Sequence, residues 1–143
     1  MPLANYTTKV PVADSMAEIH KLLVQFGADR ISNHYENGKP VGIDFALKVD
    51  SYPLEFHLPI NIAAAQKALT KQKVKSYHRT LAHAEMVSWR ILKDWVRIQL
   101  TMIELQQAEM AQVFLPYAIV AGQPVYQQFR IERSKQLQLE KGK

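Results

Sequence analysis

The stretch VSWRILKDWVRIQL at residues 87–100 restricts the fold more than any other part of the sequence. It belongs to a longer segment, residues 80–112, that contains neither glycine nor proline and therefore predicts one continuous helix. Projected at about 100° per residue, apolar side chains cover most of this helix and leave one polar arc of roughly 100°. Because so much apolar surface must be buried on several sides, we expect the helix to be the spine of the core. Its excess apolar surface also predicts a homo-oligomer, formed through this helix or through VFLPYA at residues 113–118.

The middle of the chain predicts a β-sheet, because apolar and polar residues alternate with a period of two between residues 30 and 60. We expect three antiparallel strands in a meander. One face of this sheet is apolar and requires a cover of helices, whereas the other face is polar and is expected to lie in water.

Two loops fix the expected pairing of these strands. A three-residue loop around Gly38 places Ile31 opposite Ile43. A four-residue loop at the sequence DSYP places Phe45 opposite Leu58.

The remaining elements complete an α+β fold. NYTTKV at residues 5–10 predicts a short strand, because it contains β-branched residues and ends before a proline. A helix follows, begun by a capping box of Ser15 and Glu18 and ended by Gly27. IAAAQKALTK at residues 62–71 predicts a short helix in front of the long one.

The size and composition indicate one folded domain. The chain has 143 residues, of which 48% are hydrophobic and 22% charged, as in an ordinary globular protein. We expect residues 1–129 to form the domain and the polar residues 130–143 to form a flexible tail. We find neither a membrane span nor a signal peptide, and so expect a cytoplasmic protein without a membrane partner. The absence of cysteine excludes disulfides, thiolate catalysis and cysteine-based metal sites.

Basic residues are concentrated in the second half of the chain. Residues 61–143 carry thirteen basic and six acidic side chains, a net charge of +7, whereas residues 1–60 have a net charge of −2. The densest run has five basic residues and no acidic one, and it consists of Lys67, Lys71, Lys73, Lys75 and Arg79. Such a run attracts a polyanion, and we therefore take these residues as candidates for binding nucleic acid.

The polar arc of the long helix contributes three further candidates, Arg90, Lys93 and Arg97. Two interpretations are open. In the first, the arc is the solvated edge of a core helix, with Arg90 paired to Asp94 four residues later. In the second, the arc and the basic run form one continuous face that follows a phosphate backbone.

Two tyrosines are candidates for stacking on bases. Tyr52 lies in a hairpin loop, and Tyr77 lies beside the basic run. Trp89 and Trp95 flank the apolar side of the long helix, and we expect them in the core.

The sequence contains no catalytic or metal-binding pattern. His78 and His83 are five residues apart, about 140° around a helix, and so do not match a zinc-binding i, i+4 pair. His34 and His57 fall on the polar face of the sheet, where we expect them to be exposed. We find no glycine-rich phosphate loop, nucleophile elbow or close pair of carboxylates. The sequence thus predicts a protein that is not an enzyme and needs no cofactor and no metal.

Five motifs occur together within residues 4–128. They are NYTTKV at 5–10, FGADRI at 26–31, LP at 58–59, WRILKDWVRIQL at 89–100 and VFLPYA at 113–118. In combination they resemble a family of small proteins encoded by bacteriophages, prophages and other mobile elements. That family has no established activity, so the resemblance implies a setting, the cytoplasm of a bacterial host, and no mechanism.

From these features we expect a non-catalytic phage or mobile-element accessory protein that binds nucleic acid through a basic face. The alternative is an anti-defence interaction protein that inhibits a host immune component or sequesters a nucleotide signal.

Overall fold

The computed structural model describes residues 1–142 and confirms the α+β fold class. Its helices and strands are α1 Val12–Gln25, β1 Arg30–Glu36, β2 Lys39–Val49, β3 Tyr52–Pro59, α2 Ile62–Lys71, α3 Leu81–Glu104, α4 Met110–Phe114, β4 Ile119–Val120, β5 Gln123–Pro124 and α5 Val125–Lys141. Short 3-10 turns occupy Ser76–His78 and Leu115–Tyr117. Across residues 1–142, no helix combines the length and the apolar character that a membrane crossing requires.

The main sheet is the expected antiparallel meander in the order β1-β2-β3, but the predicted registers are wrong by two residues. Ile31 lies opposite Phe45 rather than Ile43. Phe45 in turn lies opposite Phe56 rather than Leu58. Because a shift of two returns every side chain to the same face, the predicted apolar face is preserved.

Two-residue loops, in place of the predicted loops of three and four residues, explain this shift. At β2–β3 the loop accounts for both residues of the shift, whereas at β1–β2 it accounts for one and the bulge between His34 and Tyr35 accounts for the other. Asn37 and Gly38 have φ angles of 51° and 77°, and Asp50 and Ser51 have φ angles of 51° and 67°. Two successive positive φ angles are typical of the type I′ turn, whose twist matches that of the paired strands. Asn-Gly is the preferred sequence for this turn, whereas Asp-Ser carries little signal for it.

Helix α3 covers the apolar face together with α1, and α2 packs against another side of α3. Trp89 of α3 is fully buried, as predicted, and its Nε1 donates a hydrogen bond to the carbonyl oxygen of Pro40, 3.3 Å away. The fully or largely buried residues of α3 are His83, Ala84, Val87, Ser88, Trp89, Leu92, Lys93, Val96 and Leu100. The long helix is therefore the spine of the core.

The segment after α3 also docks on the sheet. Phe114 of α4 is fully buried, and its ring centroid lies 5.8 Å from that of Phe45 and 6.1 Å from that of Phe56. Residues 130–141, expected to be a tail, belong to helix α5, which has no buried side chain. Their flexibility stays a prediction.

Two helix ends differ from those predicted. Ser15 does not cap α1: the helix begins at Val12, and Ser15 is buried inside it. Helix α3 ends at Glu104 instead of near residue 112, because Gln106 adopts a φ of 61° and turns the chain away. A left-handed residue at a helix end is usually glycine, so a glutamine at this position does not indicate that the helix ends. By contrast, Gly27 ends α1 as predicted, with a φ of 98°.

The predicted strand at residues 5–10 does not form. Residues 4–7 make a turn, in which Asn5 has a φ of 61°. The side-chain amide of Asn5 donates to Asp94 Oδ2 at 2.8 Å, and the backbone amide of Leu3 donates to Gln72 Oε1 at 2.7 Å. The N-terminal segment therefore lies across α3 and the end of α2, and does not extend the sheet.

Candidate nucleic-acid interface

The loop between α2 and α3 carries most of the predicted basic run, and local hydrogen bonds hold it in place. Thr80 caps α3 by accepting a hydrogen bond from the backbone amide of His83 at 3.1 Å. Gln66 of α2 donates from Nε2 to the carbonyl oxygen of Arg79 at 3.2 Å. The loop thus has fixed anchors at its C-terminal end, which favours a defined surface over a mobile linker.

Between this loop and the N-terminal segment lies an open cleft of about 720 Å³. It is lined by Met1, Pro2, Tyr6, Thr7, Gln72, Lys73, Val74, Lys75, Tyr77 and His78. None of these lining residues is acidic. The cleft combines two lysines with two tyrosines and a histidine, which are the residue types that bind phosphate and stack on bases.

Tyr77 is the exposed aromatic side chain of the cleft. It is 60% exposed, and Lys75 Nζ lies 5.9 Å from the centroid of its ring. The ring of His78 meets it edge-on, with the centroids 4.4 Å apart. One face of an aromatic ring beside an ammonium group is a suitable place for a base and its phosphate.

His78 and Tyr6 line the cleft, and the buried His83 packs against both of them. The two imidazole rings stack with centroids 4.7 Å apart, and the Tyr6 ring packs edge-on against His78 at 5.8 Å. His83 Nε2 donates to the carbonyl oxygen of Tyr6 at 2.5 Å. The two histidines do not share one α-helix, because His78 lies in the 3-10 turn before α3.

The imidazole of His78 is kept neutral by its surroundings. Desolvation lowers its pKa most, and the nearby His83, Lys75 and Lys9 lower it further. Its Nδ1 atom is buried and has no hydrogen-bond partner among the described residues. The positive charge of the cleft at neutral pH therefore comes from the lysines.

The other members of the basic run do not line the cleft. Lys67 and Lys71 are exposed on α2, four residues apart and so on one face of the helix. Arg79 is exposed at the end of the loop.

The basic arc of α3 faces elsewhere. Arg90, Lys93 and Arg97 line a second cleft of about 340 Å³ between α1 and α3, which also includes Lys21 and Glu18. This cleft shares no lining residue with the first one. The two basic groups thus do not line one common cleft.

Arg90 and Lys93 are engaged inside the protein. Arg90 donates to the carboxylate of Glu18 and, at 3.3 Å, to Ser15 Oγ, so the predicted pairing of Arg90 with Asp94 is wrong. Lys93 is only 8% exposed and donates from Nζ to Asp94 Oδ1 at 3.2 Å. Of the three arc residues only Arg97 is exposed.

The carboxylate of Asp94 is held in its charged form. Desolvation alone would raise its pKa, but hydrogen bonds from Asn5 and Lys93 and the charges of Lys93 and Arg90 outweigh it and lower the pKa. Lys93 therefore neutralises a structural carboxylate, which ties the N-terminal segment to α3.

Tyr52 does not line the cleft. It is 69% exposed beside the two-residue turn that opens β3, and α2 follows the opposite end of that strand. Tyr77 is the predicted stacking residue that the fold places with the lysines, and Tyr6 is one that the sequence did not indicate.

Comparisons of the chain with protein-family models, with curated proteins and with solved structures give no match. The phage and mobile-element setting stays a prediction.

Proposed function

We propose that this chain is a non-catalytic accessory protein of a phage or mobile element, and that it binds single-stranded nucleic acid at the cleft between α2, α3 and the N-terminal segment. The observation that carries the proposal is the grouping of Lys73, Lys75 and the exposed ring of Tyr77 around one cleft without an acidic lining residue. Lysines track a phosphate backbone, and aromatic rings stack on unpaired bases of any sequence.

The residues of the cleft and their positions favour a single strand over a duplex. Stacking on Tyr77 requires a base whose face is free, and paired bases in a helix do not offer one. A duplex reader would instead present a helix or a two-stranded ribbon to the major groove. The basic residues here lie on a loop and on the exposed face of α2, and α3 is buried behind them.

The experiment is a fluorescence-anisotropy titration with labelled single- and double-stranded DNA and RNA at two salt concentrations. The main variant changes Lys71, Lys73, Lys75 and Arg79 to Ala. If each of the four side chains contacts a phosphate, the negative slope of log affinity against log salt should become shallower by about 3 for a single strand. A Tyr77→Ala variant should lose about 1–3 kcal/mol of affinity with little change in that slope.

A matched control removes the same charge from another surface. Arg130, Arg133, Lys135 and Lys141 are exposed on α5, and their replacement by Ala also lowers the net charge by four. The proposal requires this variant to keep its affinity. Equal losses in both variants would mean that only net charge matters, and no binding by the unmodified protein at low salt would end the proposal.

The alternative, an anti-defence protein that sequesters a nucleotide signal, is favoured by the same cleft for a different reason. Its volume lies in the range of small-molecule sites, about 300–1,000 Å³. Cyclic mono- and dinucleotides are therefore added as competitors and titrated by calorimetry. Tight stoichiometric binding of one of them, without binding of polymer, would replace the first proposal by this one. If neither binds, inhibition of a host immune protein is the remaining alternative.

A further inference from the structure

The polar face of the sheet holds a second cluster of functional groups, far in sequence from the basic loop. His34 of β1, Asp44 of β2 and His57 of β3 point toward one another, and one potential ligand atom from each lies within 4.8 Å of the others. All three residues are only partly exposed. His34 and His57 were expected to be exposed side chains of the wet face, and they do lie on that face.

The exact register of the sheet creates this cluster. Asp44 lies directly opposite His57, and His34 lies opposite Gly42, two positions from Asp44 along β2. Side chains at such direct and diagonal positions of neighbouring strands are within reach of each other. Three adjacent strands therefore place their side chains around one point above the central strand.

Both imidazole rings face the carboxylate of Asp44 with their Nδ1 atoms. His57 Nδ1 lies 2.5 Å from Asp44 Oδ1, and His34 Nδ1 lies 3.5 Å from Asp44 Oδ2. The two rings meet edge-on, with centroids 5.2 Å apart. A pair of histidines converging by Nδ1 on one carboxylate is a donor set that suits a first-row transition metal.

Glycine at position 42 keeps the space for this arrangement. A Cβ atom there would lie 3.0 Å from His57 Cε1 and 2.8 Å from the carbonyl oxygen of Leu58. Glycine inside a strand weakens it and often marks a close approach of other groups. A β-bulge also interrupts the pairing next to His34, and bulges of this kind re-aim side chains near sites.

We infer that His34, Asp44 and His57 form a binding site for a divalent transition-metal ion, with zinc as the representative ion. In a tetrahedral zinc site with bonds of about 2.0–2.1 Å, neighbouring ligand atoms are about 3.3 Å apart. The separations of 2.5 and 3.5 Å bracket this value, so small side-chain rotations bring the ligand atoms to the required spacing. The ion takes the place of the proton in the hydrogen bond between His57 Nδ1 and Asp44 Oδ1, and this proton is released to solvent. Three protein ligands leave a fourth position for water or for a ligand from outside.

Glu36 is placed to support the site from outside the ligand set, once its carboxylate moves within hydrogen-bond distance of His34. Its Oε1 lies 3.6 Å from His34 Nε2, the ring nitrogen that does not face Asp44. A carboxylate on the distal nitrogen of a ligating histidine orients the ring and increases its basicity, and loss of such a partner typically costs about 10- to 100-fold in affinity. The site is independent of the nucleic-acid proposal, because it shares no residue with the basic cleft.

The test is a calorimetric titration of the purified, tag-free, metal-stripped full chain with zinc chloride, and a parallel titration with Co²⁺ followed by its visible d–d absorption. We expect one equivalent of metal to bind. Asp44→Asn and His57→Gln should each reduce the affinity more than Glu36→Gln, which should reduce it about 10- to 100-fold. Binding should also raise the melting temperature of the unmodified protein.

Two controls locate the metal. His20→Gln alters a histidine that binds Asn33 Oδ1 at 2.8 Å, outside the cluster, and it should leave the affinity unchanged. His78→Gln removes the stacked pair beside the cleft and should also have no effect. Loss of binding in His78→Gln but not in Asp44→Asn would overturn the inference, and so would an absence of stoichiometric binding.

A readout on the unmodified protein covers the case in which a ligand variant fails to fold. In a proton NMR titration with zinc, the imidazole signals of His34 and His57 should shift or broaden together at one equivalent, while that of His20 stays in place. Equal shifts of all histidines, or shifts of His78 and His83 alone, would overturn the inference.

Discussion

Lys93 and Lys75 were both predicted to bind nucleic acid, and the structure gives them different roles that one pair of substitutions separates. Lys93 is 8% exposed and donates to Asp94, whereas Lys75 is exposed beside the ring of Tyr77. We predict that Lys93→Ala lowers stability without changing nucleic-acid affinity. Lys75→Ala should lower nucleic-acid affinity and leave stability nearly unchanged.

The magnitudes follow from these contacts. Lys93→Ala removes a hydrogen bond between charged groups, worth about 1.5–3 kcal/mol, and the packing of a buried aliphatic stem. The carboxylate of Asp94 is 47% exposed and keeps its bond from Asn5, so water can solvate it and no buried charge is stranded. We therefore expect a loss of about 2 kcal/mol, or about 4–8 °C in melting temperature. Lys75→Ala should change stability by less than about 0.5 kcal/mol.

The assay combines urea unfolding with the anisotropy titration at a temperature where both variants are folded. Lys75→Ala should reduce the slope of log affinity against log salt by about 0.7, the contribution of one contact with a single strand. Unchanged stability together with weaker binding in Lys93→Ala would contradict this prediction, because the side chain would then be free to contact phosphate.

Three further predictions test the packing and charge of the fold, the first of them with a control substitution. Phe114→Ala should cost about 3–5 kcal/mol in urea unfolding, because the ring is fully buried, whereas Phe129→Ala, at a 69% exposed position, should cost less than about 0.5 kcal/mol. Gly42→Ala should destabilise the protein by about 1–3 kcal/mol by overpacking against Leu58, and a gain in stability would contradict the close approach. Asp94 has a lowered pKa in the folded state, so its stabilising contribution is complete above the ordinary carboxyl pKa of about 4 and is lost as the pH falls through the lowered value. Asp94→Asn should therefore flatten the acidic part of the curve of unfolding free energy against pH.

Local sequence signals predicted the start of α2 and the end of α1, but not the start of α1, where Ser15 is buried inside the helix instead of capping it. Asn61 caps α2 by accepting from the backbone amide of Ala64 at 2.9 Å, and α2 spans Ile62–Lys71 as predicted. Gly27 ends α1 in the same predictable way. The end of α3 was missed, because Gln106 adopts a left-handed conformation that glutamine does not indicate.

Only the part of the candidate cleft that the loop before α3 contributes was predicted from the sequence. Lys73, Lys75 and Tyr77 are neighbours in sequence, so a composition count finds them. Tyr6 reaches the cleft from the N-terminal segment, through a hydrogen bond between residues 77 positions apart, and no pattern near residue 6 points to it. Burial of Lys93 could not be predicted either, because it depends on how α1 packs against α3.

The histidine cluster shows why an error in strand register that leaves the predicted fold unchanged can still hide a metal site. In the predicted register Asp44 faces Pro59, whereas in the structure it faces His57. Both registers bury the same apolar face, because burial depends only on whether a shift is even or odd. A cluster of three side chains on the polar face depends on the register itself, which the turns and the bulge after His34 set. The two-residue turn at Asp50 and Ser51 brings His57 opposite Asp44, and the turn at Asn37 and Gly38 together with the bulge brings His34 beside them. These features therefore decide whether this sheet contains a candidate metal site, although neither turn contributes a ligand to it.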